Sequence, residues 1–157
     1  MNTNQDDIQI KFCEGDENWK YAKIMRQKYF FDNVPMEDPY TWTFNHAEHL
    51  HFILYHCDER LGYAHIQLWP ERRAAIRIIV INETERSKSY GSSFLQIIEN
   101  YLATSGYQCI QAESRRESLH FYEKNGYSAM PFNDPDGHES CEEDIPVGKY
   151  LLNLQAD

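Results

Sequence analysis

The chain has 157 residues, with 25 acidic against 15 basic side chains and a formal net charge of -10. That length suits one domain around one core, and a 41% hydrophobic and 14% aromatic content is too rich for a disordered chain. The acidic balance argues against nucleic acid or an anionic membrane as the main partner, and no apolar run is long enough to span a bilayer.

Met1 to Asp7 is polar and acidic, so neither a signal nor a transit peptide is expected. Ile8 to Cys13 alternates apolar and polar residues and reads as a strand. Asp16 is placed to cap a helix from about Glu17 to Phe30, with Trp19, Ala22, Met25 and Tyr29 along one side. Residues 32–48 carry Pro35, Pro39 and many aromatics and form a long irregular segment. Leu50 to His56 and Leu61 to Trp69 read as a hairpin, and Ala74 to Asn82 as a third strand. A helix then runs to about Thr104 and stops at Gly106. A strand from Gln108 to Glu113, a short helix from Glu117 to Asn125 stopped by Gly126, and a strand from Tyr127 to Phe132 follow. A polar loop leads to a last strand, Ile145 to Asn153. The thiols Cys13, Cys57, Cys109 and Cys141 include no CxxC pair and read as free cysteines of a reducing cytoplasm.

The segment Ile78 to Leu102 is the most informative. A buried-strand pattern leads into a polar turn, Arg86-Ser87-Lys88-Ser89-Tyr90-Gly91, and then an amphipathic helix. The first N–H groups of a helix have no intrahelical partner, and the helix dipole favours an anion there. Arg86 and Lys88 add positive charge within an acidic chain, which suits a polyphosphate. Taken alone, the turn is equally compatible with an ordinary solvated connection.

A second motif lies some thirty residues downstream: Phe121-Tyr122-Glu123-Lys124-Asn125-Gly126-Tyr127. With the Arg86 turn, and with elements in this order from Ile8 to Asn153, the chain resembles the GNAT superfamily of acyl-CoA-dependent N-acyltransferases. In that pattern Ser89 stands where the first glycine of the phosphate turn is usual. Arg115 and Ser118 stand where an Asn and a small residue are usual.

The resemblance implies an α/β (α+β) GNAT-like fold: one domain over residues 1–157, with a central mixed, mostly antiparallel twisted sheet and helices on both faces. It implies direct acyl transfer from acetyl-CoA, leaving coenzyme A, to a primary amine of a small molecule or peptide, and frequent homodimers. Val80, Ile81 and Asn82 would pair with the pantetheine arm, and a strand N–H there would polarise the thioester carbonyl. Backbone groups of Ser87, Lys88, Ser89, Tyr90, Gly91 and Ser92 would hold the pyrophosphate, with Arg86 and Lys88 turned to solvent or to the nucleotide. Arg115 would reach the cofactor or pair with an acidic neighbour. Tyr122 occupies the position of the general acid that protonates the departing thiolate.

The general base stays open among Glu113 at its strand end, His65, His120, the Asn133-Asp134-Pro135-Asp136 loop, and a relaying water. Glu113 is attractive because that strand end should open beside the cofactor; a solvated carboxylate, or a pair with Arg115 or Arg116, competes with it. Tyr40, Trp42 and Phe44, with the loop from Asn133 to Cys141, would shape the amine pocket, unless Trp42 and Phe44 close the core edge.

Two rival readings remain. The chain is a GNAT-like module that holds acyl-CoA without turning it over, or His46, His49 and His51 bind a metal. The histidine spacing fits no zinc motif, so surface or pocket histidines are the default.

Overall fold

The computed structural model describes residues 7–31, 38–86, 88–137 and 142–151. Strand β1 (Ile8–Phe12) pairs antiparallel with β2 (His49–His56), from Ile8↔His56 to Phe12↔Phe52. Helix α1 (Asp16–Arg26) begins after Gly15, whose φ of 86° only glycine adopts freely. Asp16 is thus the first helical residue rather than the cap, and no side chain caps this end. Asp16 and Glu17 still place carboxylates in the first turn, where the dipole favours them. The helix expected to reach Phe30 is α-helical to Arg26 and continues as one π-helical turn, Gln27–Phe31. Such turns are rare, and often occur at functional sites.

Within the irregular segment, Thr41–Asn45 forms a 3-10 turn, and residues 32–37 lie outside the described residues. Strand β3 (Glu59–Trp69) is buried without a break from Leu61 to Gln67. Both faces of a central strand are covered, so its pattern does not alternate. Strand β4 (Arg73–Ile81) leads through a 3-10 turn at Glu83–Glu85 to helix α2 (Tyr90–Thr104). Strand β5 (Cys109–Ser114) precedes a 3-10 turn, Arg116–Ser118, and helix α3 (Leu119–Lys124), which starts two residues later than expected.

The strand expected over Tyr127 to Phe132 is only β6 (Ser128–Ala129). It pairs with β7 (Ile145–Tyr150) through Ser128↔Gly148 and Ala129↔Val147, and Met130 N–H reaches the Pro146 carbonyl at 3.2 Å. Pro131 and Pro146 have no N–H, so the ladder ends there. Residues 152–153 of the expected last strand lie outside the described residues.

Among the described residues, seven strands form one sheet in the order β1-β2-β3-β4-β5-β7-β6. It is mixed: β4 pairs β5 in parallel from Arg73↔Cys109 to Ile76↔Ala112, and β5 pairs β7 antiparallel from Cys109↔Tyr150 to Ser114↔Ile145. The chain divides into two compact units, Met1–Ile66 with Ile78–Ile97, and Gln67–Arg77 with Ile98–Asp157. The first has a core of Cys13, Ala22, Met25, Ile53, Tyr63, Ile78 and Val80, against which Trp19, Tyr21, Tyr29 and Tyr55 pack. The second packs Trp69, Ala75 and Phe132 together. Among the described residues, no helix is long and apolar enough to cross a membrane.

Candidate functional site

The end of β4 is tightly built. Val80 and Ile81 are buried. Asn82 N–H donates to the Leu61 carbonyl at 2.8 Å, its side-chain amide donates to the Arg60 carbonyl at 2.8 Å, and its Oδ1 accepts from the Tyr21 hydroxyl at 2.6 Å. Gly62 on β3 lets the Val80 carbonyl approach: a Cβ there would stand 2.7 Å from that oxygen and 3.3 Å from the Phe94 ring. A glycine inside a strand often marks such a close backbone approach.

The turn differs from its sequence reading in where its charge goes. Lys88 is held by Glu85 at 3.0 Å, a hydrogen bond that raises its pKa, and Arg86 lies over the Tyr29 ring at 4.8 Å with Nε 3.3 Å from the Ile81 carbonyl. Both cations are engaged within the first unit, and Glu83 and Glu85 offset them. The backbone is the better anion cradle. Ser89 takes φ 65°, a left-handed conformation that glycine adopts more readily than serine. Ser93 N–H closes the first helical turn on the Ser89 carbonyl at 3.2 Å. The N–H groups of Tyr90 and Gly91 therefore stand ahead of the intrahelical ladder. Ser87 lies outside the described residues.

In the second unit, Tyr122 is buried on α3, with its ring edge-on to Tyr127 at 5.4 Å. Burial pushes its hydroxyl pKa above the ordinary tyrosine range. Glu113 is half-buried on β5, opposite Pro146, and Arg115 is exposed just before the 3-10 turn. The loop carboxylates proposed as bases have structural partners: Asp134 pairs with Arg77 at 2.9 Å, and Asp136 accepts from Gln67 at 3.1 Å. His120 is exposed on α3.

The densest polar constellation was not anticipated. Arg26 is 1% exposed and pairs with Asp38 through Nε and Nη2. Its Nη1 lies 3.0 Å from the Tyr63 hydroxyl and 2.9 Å from His65 Nδ1. His65 Nε2 lies 2.8 Å from His49 Nδ1. His51 Nδ1 lies 2.7 Å from the Tyr63 hydroxyl, and its Nε2 lies 3.2 Å from the Thr43 carbonyl. His65 and His51 thus have both ring nitrogens engaged, which removes His65 from the open bases and His51 from any metal trio. A sequence signal existed: Arg26 falls in register with Trp19, Ala22 and Tyr29 on the inward stripe of α1. Of the expected pocket aromatics, Phe44 stacks on Trp19 at 4.6 Å, whereas Tyr40 and Trp42 are exposed.

A family model described as the acetyltransferase (GNAT) family matches residues 19–127. The chain belongs to that family, whose members are acyltransferases acting on amines. Among solved structures it is similar to Tetrahymena GCN5, with a TM-score of 0.72 at 13% identity, covering 93% of this chain and 98% of that one. It is also similar to the ribosomal-protein-S18-alanine N-acetyltransferase from Escherichia coli, with a TM-score of 0.71 at 17% identity over 92% and 94% of the two chains. The IAA acetyltransferase from Bacillus cereus gives a TM-score of 0.67 at 14% identity over 92% and 99%. At these identities the likeness establishes the fold. No curated protein matches the chain.

Proposed function

We propose that the chain, acting as one domain over residues 1–157, transfers an acetyl group from acetyl-CoA to a primary amine by direct attack. The observation that carries this reading is the turn between β4 and α2. Its left-handed Ser89 precedes a 15-residue helix, with the first-turn N–H groups of Tyr90 and Gly91 ahead of the ladder. Such a cradle suits a pyrophosphate, and its fit does not depend on Arg86 or Lys88, which have partners of their own.

In this reading the backbone of Val80, Ile81 and Asn82 holds the pantetheine arm, and a β4 N–H stabilises the oxyanion that forms when the amine attacks. Ser87 and Arg115 complete the cofactor contacts. Tyr122 donates its proton to the departing thiolate, since a tyrosine hydroxyl is protonated at neutral pH. Glu113 takes the proton from the amine, directly or through water.

The test is a thermal-shift titration with acetyl-CoA and free coenzyme A, with ADP as the polyphosphate control. A ligand bound only to the native state adds about 2.7 kcal/mol at a hundredfold excess over its Kd. Saturable stabilisation by acetyl-CoA beyond that by ADP, followed by amine-dependent release of the coenzyme A thiol, is expected. No stabilisation at millimolar acetyl-CoA overturns the reading. Stabilisation without thiol release to any amine favours a binding module.

A further inference from the structure

The hydrogen-bond directions around Arg26 follow from one fact: a guanidinium only donates. The two hydrogens on Nη1 go to the Tyr63 hydroxyl and to His65 Nδ1. His65 Nδ1 must therefore be bare. A neutral His65 carries its proton on Nε2 and gives it to His49 Nδ1. Tyr63, having accepted from Arg26, donates its own hydrogen to His51 Nδ1. His51 then carries its proton on Nε2 and donates it to the Thr43 carbonyl. Two chains thus leave Arg26, Arg26→His65→His49 and Arg26→Tyr63→His51→Thr43, and every donor up to His49 Nδ1 and the Thr43 carbonyl meets an acceptor.

This assignment works only while His51 and His65 are uncharged. A proton on His65 Nδ1 would face an Arg26 N–H, donor against donor. A proton on His51 Nδ1 would take the place of the Tyr63 hydrogen, and Tyr63 is fully buried. Either event also brings a second cation beside Arg26, against which Asp38 supplies one negative charge. The groups facing His51 are Arg26 and Trp19 from α1, His49 from β2, Tyr63 and His65 from β3, and Asp38, Thr43 and Phe44 from the segment ahead of β2.

The same contacts tether that segment. Asp38 is held by Arg26, Thr43 by His51, and Phe44 by Trp19 stacking and by the Arg26 guanidinium 5.6 Å from its ring centre. We propose that the Arg26 hub is an acid-released latch: it holds residues 38–45 against β2 and β3 while His51 and His65 are neutral, and lets them go when either imidazole takes up a proton. This is independent of the acetyl-transfer reading. Burial, with Arg26 and His49 adding to it, lowers His51 to about 4, against the pull of the Thr43 carbonyl and Asp38. A histidine freed from the hub returns to about 6.5. The folded pKa is thus the lower one, so the closed form is favoured above pH 6.5 and loses its advantage as pH falls from 6.5 towards 4. For His51 alone, the opening equilibrium rises roughly a hundredfold between pH 7.5 and 4.

Amide hydrogen exchange across that range, corrected for the intrinsic rate of each amide, tests the latch. Protection of residues 40–45 is expected to fall by about that factor while β5 and β7 keep theirs. His51→Asn keeps an acceptor for Tyr63 and does not titrate, so it should stay closed at neutral pH and flatten the response. If that variant does not fold, histidine nitrogen NMR of the wild type decides. His51 and His65 should stay uncharged, with Nδ1 bare, until the segment opens. Protection independent of pH, loss of protection shared equally by β5 and β7, or titration of either imidazole with the segment still closed would each overturn the proposal.

Discussion

Gly62 and the Val80 carbonyl are in such close approach that the smallest side chain at position 62 would stand 2.7 Å from that oxygen. The neighbour is backbone, so it cannot swing aside. Gly62→Ala should push β4 away at its Val80 end and destabilise the fold by about 1–3 kcal/mol, as overpacking does. Calorimetry should show a lower Tm. If the β4 backbone holds the pantetheine arm, the stabilisation by acetyl-CoA should shrink as well.

Ser89 tests backbone strain at the turn between β4 and α2. Its φ of 65° costs a non-glycine residue roughly 1–2 kcal/mol, while a glycine loosens the unfolded chain by about 0.5–1 kcal/mol. Ser89→Gly should therefore stabilise by about 0.5–1 kcal/mol in urea unfolding, and Ser89→Val should destabilise. The glycine variant should bind acetyl-CoA at least as tightly, since the cradle is made of backbone.

Tyr122→Phe separates binding from chemistry. The acetyl-CoA thermal shift should be retained, and turnover should fall by about 10²-fold or more, the usual range for a general acid. Burial raises the hydroxyl pKa, so the acid keeps its proton as pH rises. Wild-type turnover should accordingly show no alkaline decline from this residue below about pH 10, the ordinary tyrosine value. Unchanged turnover in the variant would remove Tyr122 from the mechanism.

Glu99 is a buried carboxylate in the second unit, accepting from the Tyr127 hydroxyl at 2.7 Å and from Lys149 at 2.9 Å. Glu99→Ala strands the Tyr127 hydroxyl, while Lys149 keeps the Asn125 carbonyl at 3.0 Å, and should cost about 1–3 kcal/mol. In a double-mutant cycle with Tyr127→Phe, the two substitutions should couple by roughly 1 kcal/mol.

Element order was legible because strand and helix periods differ, and β2, β3, β4, α2 and β5 fall within one or two residues of expectation. Where the reading failed, a tertiary effect decided. β6 is short because Pro131 and Pro146 lack donors, and Pro146 lies far off in sequence. The charge of the Arg86 turn was overestimated because Glu85 and Tyr29 claim it in space. The buried polar hub was missed altogether. Arg26 comes from α1, Asp38 from the segment ahead of β2, and Tyr63 and His65 from β3, three separate places in the chain, and only the position of an arginine on the apolar stripe of α1 announced it. By contrast, a serine in place of the usual glycine left the sign of φ at residue 89 open, and the structure makes it positive.

The place of β7 in the sheet bears on how this chain is made. It is the latest of the seven strands to be synthesised, yet it lies between β5 and β6. While the ribosome is still adding residues 130–150, β5 has β4 on one side and an open edge on the other, and β6 has no neighbour to pair with. Such an edge invites pairing with other chains. The nascent chain is therefore most exposed to aggregation between the synthesis of β5 and that of β7, and shielding by a chaperone would matter most in that interval.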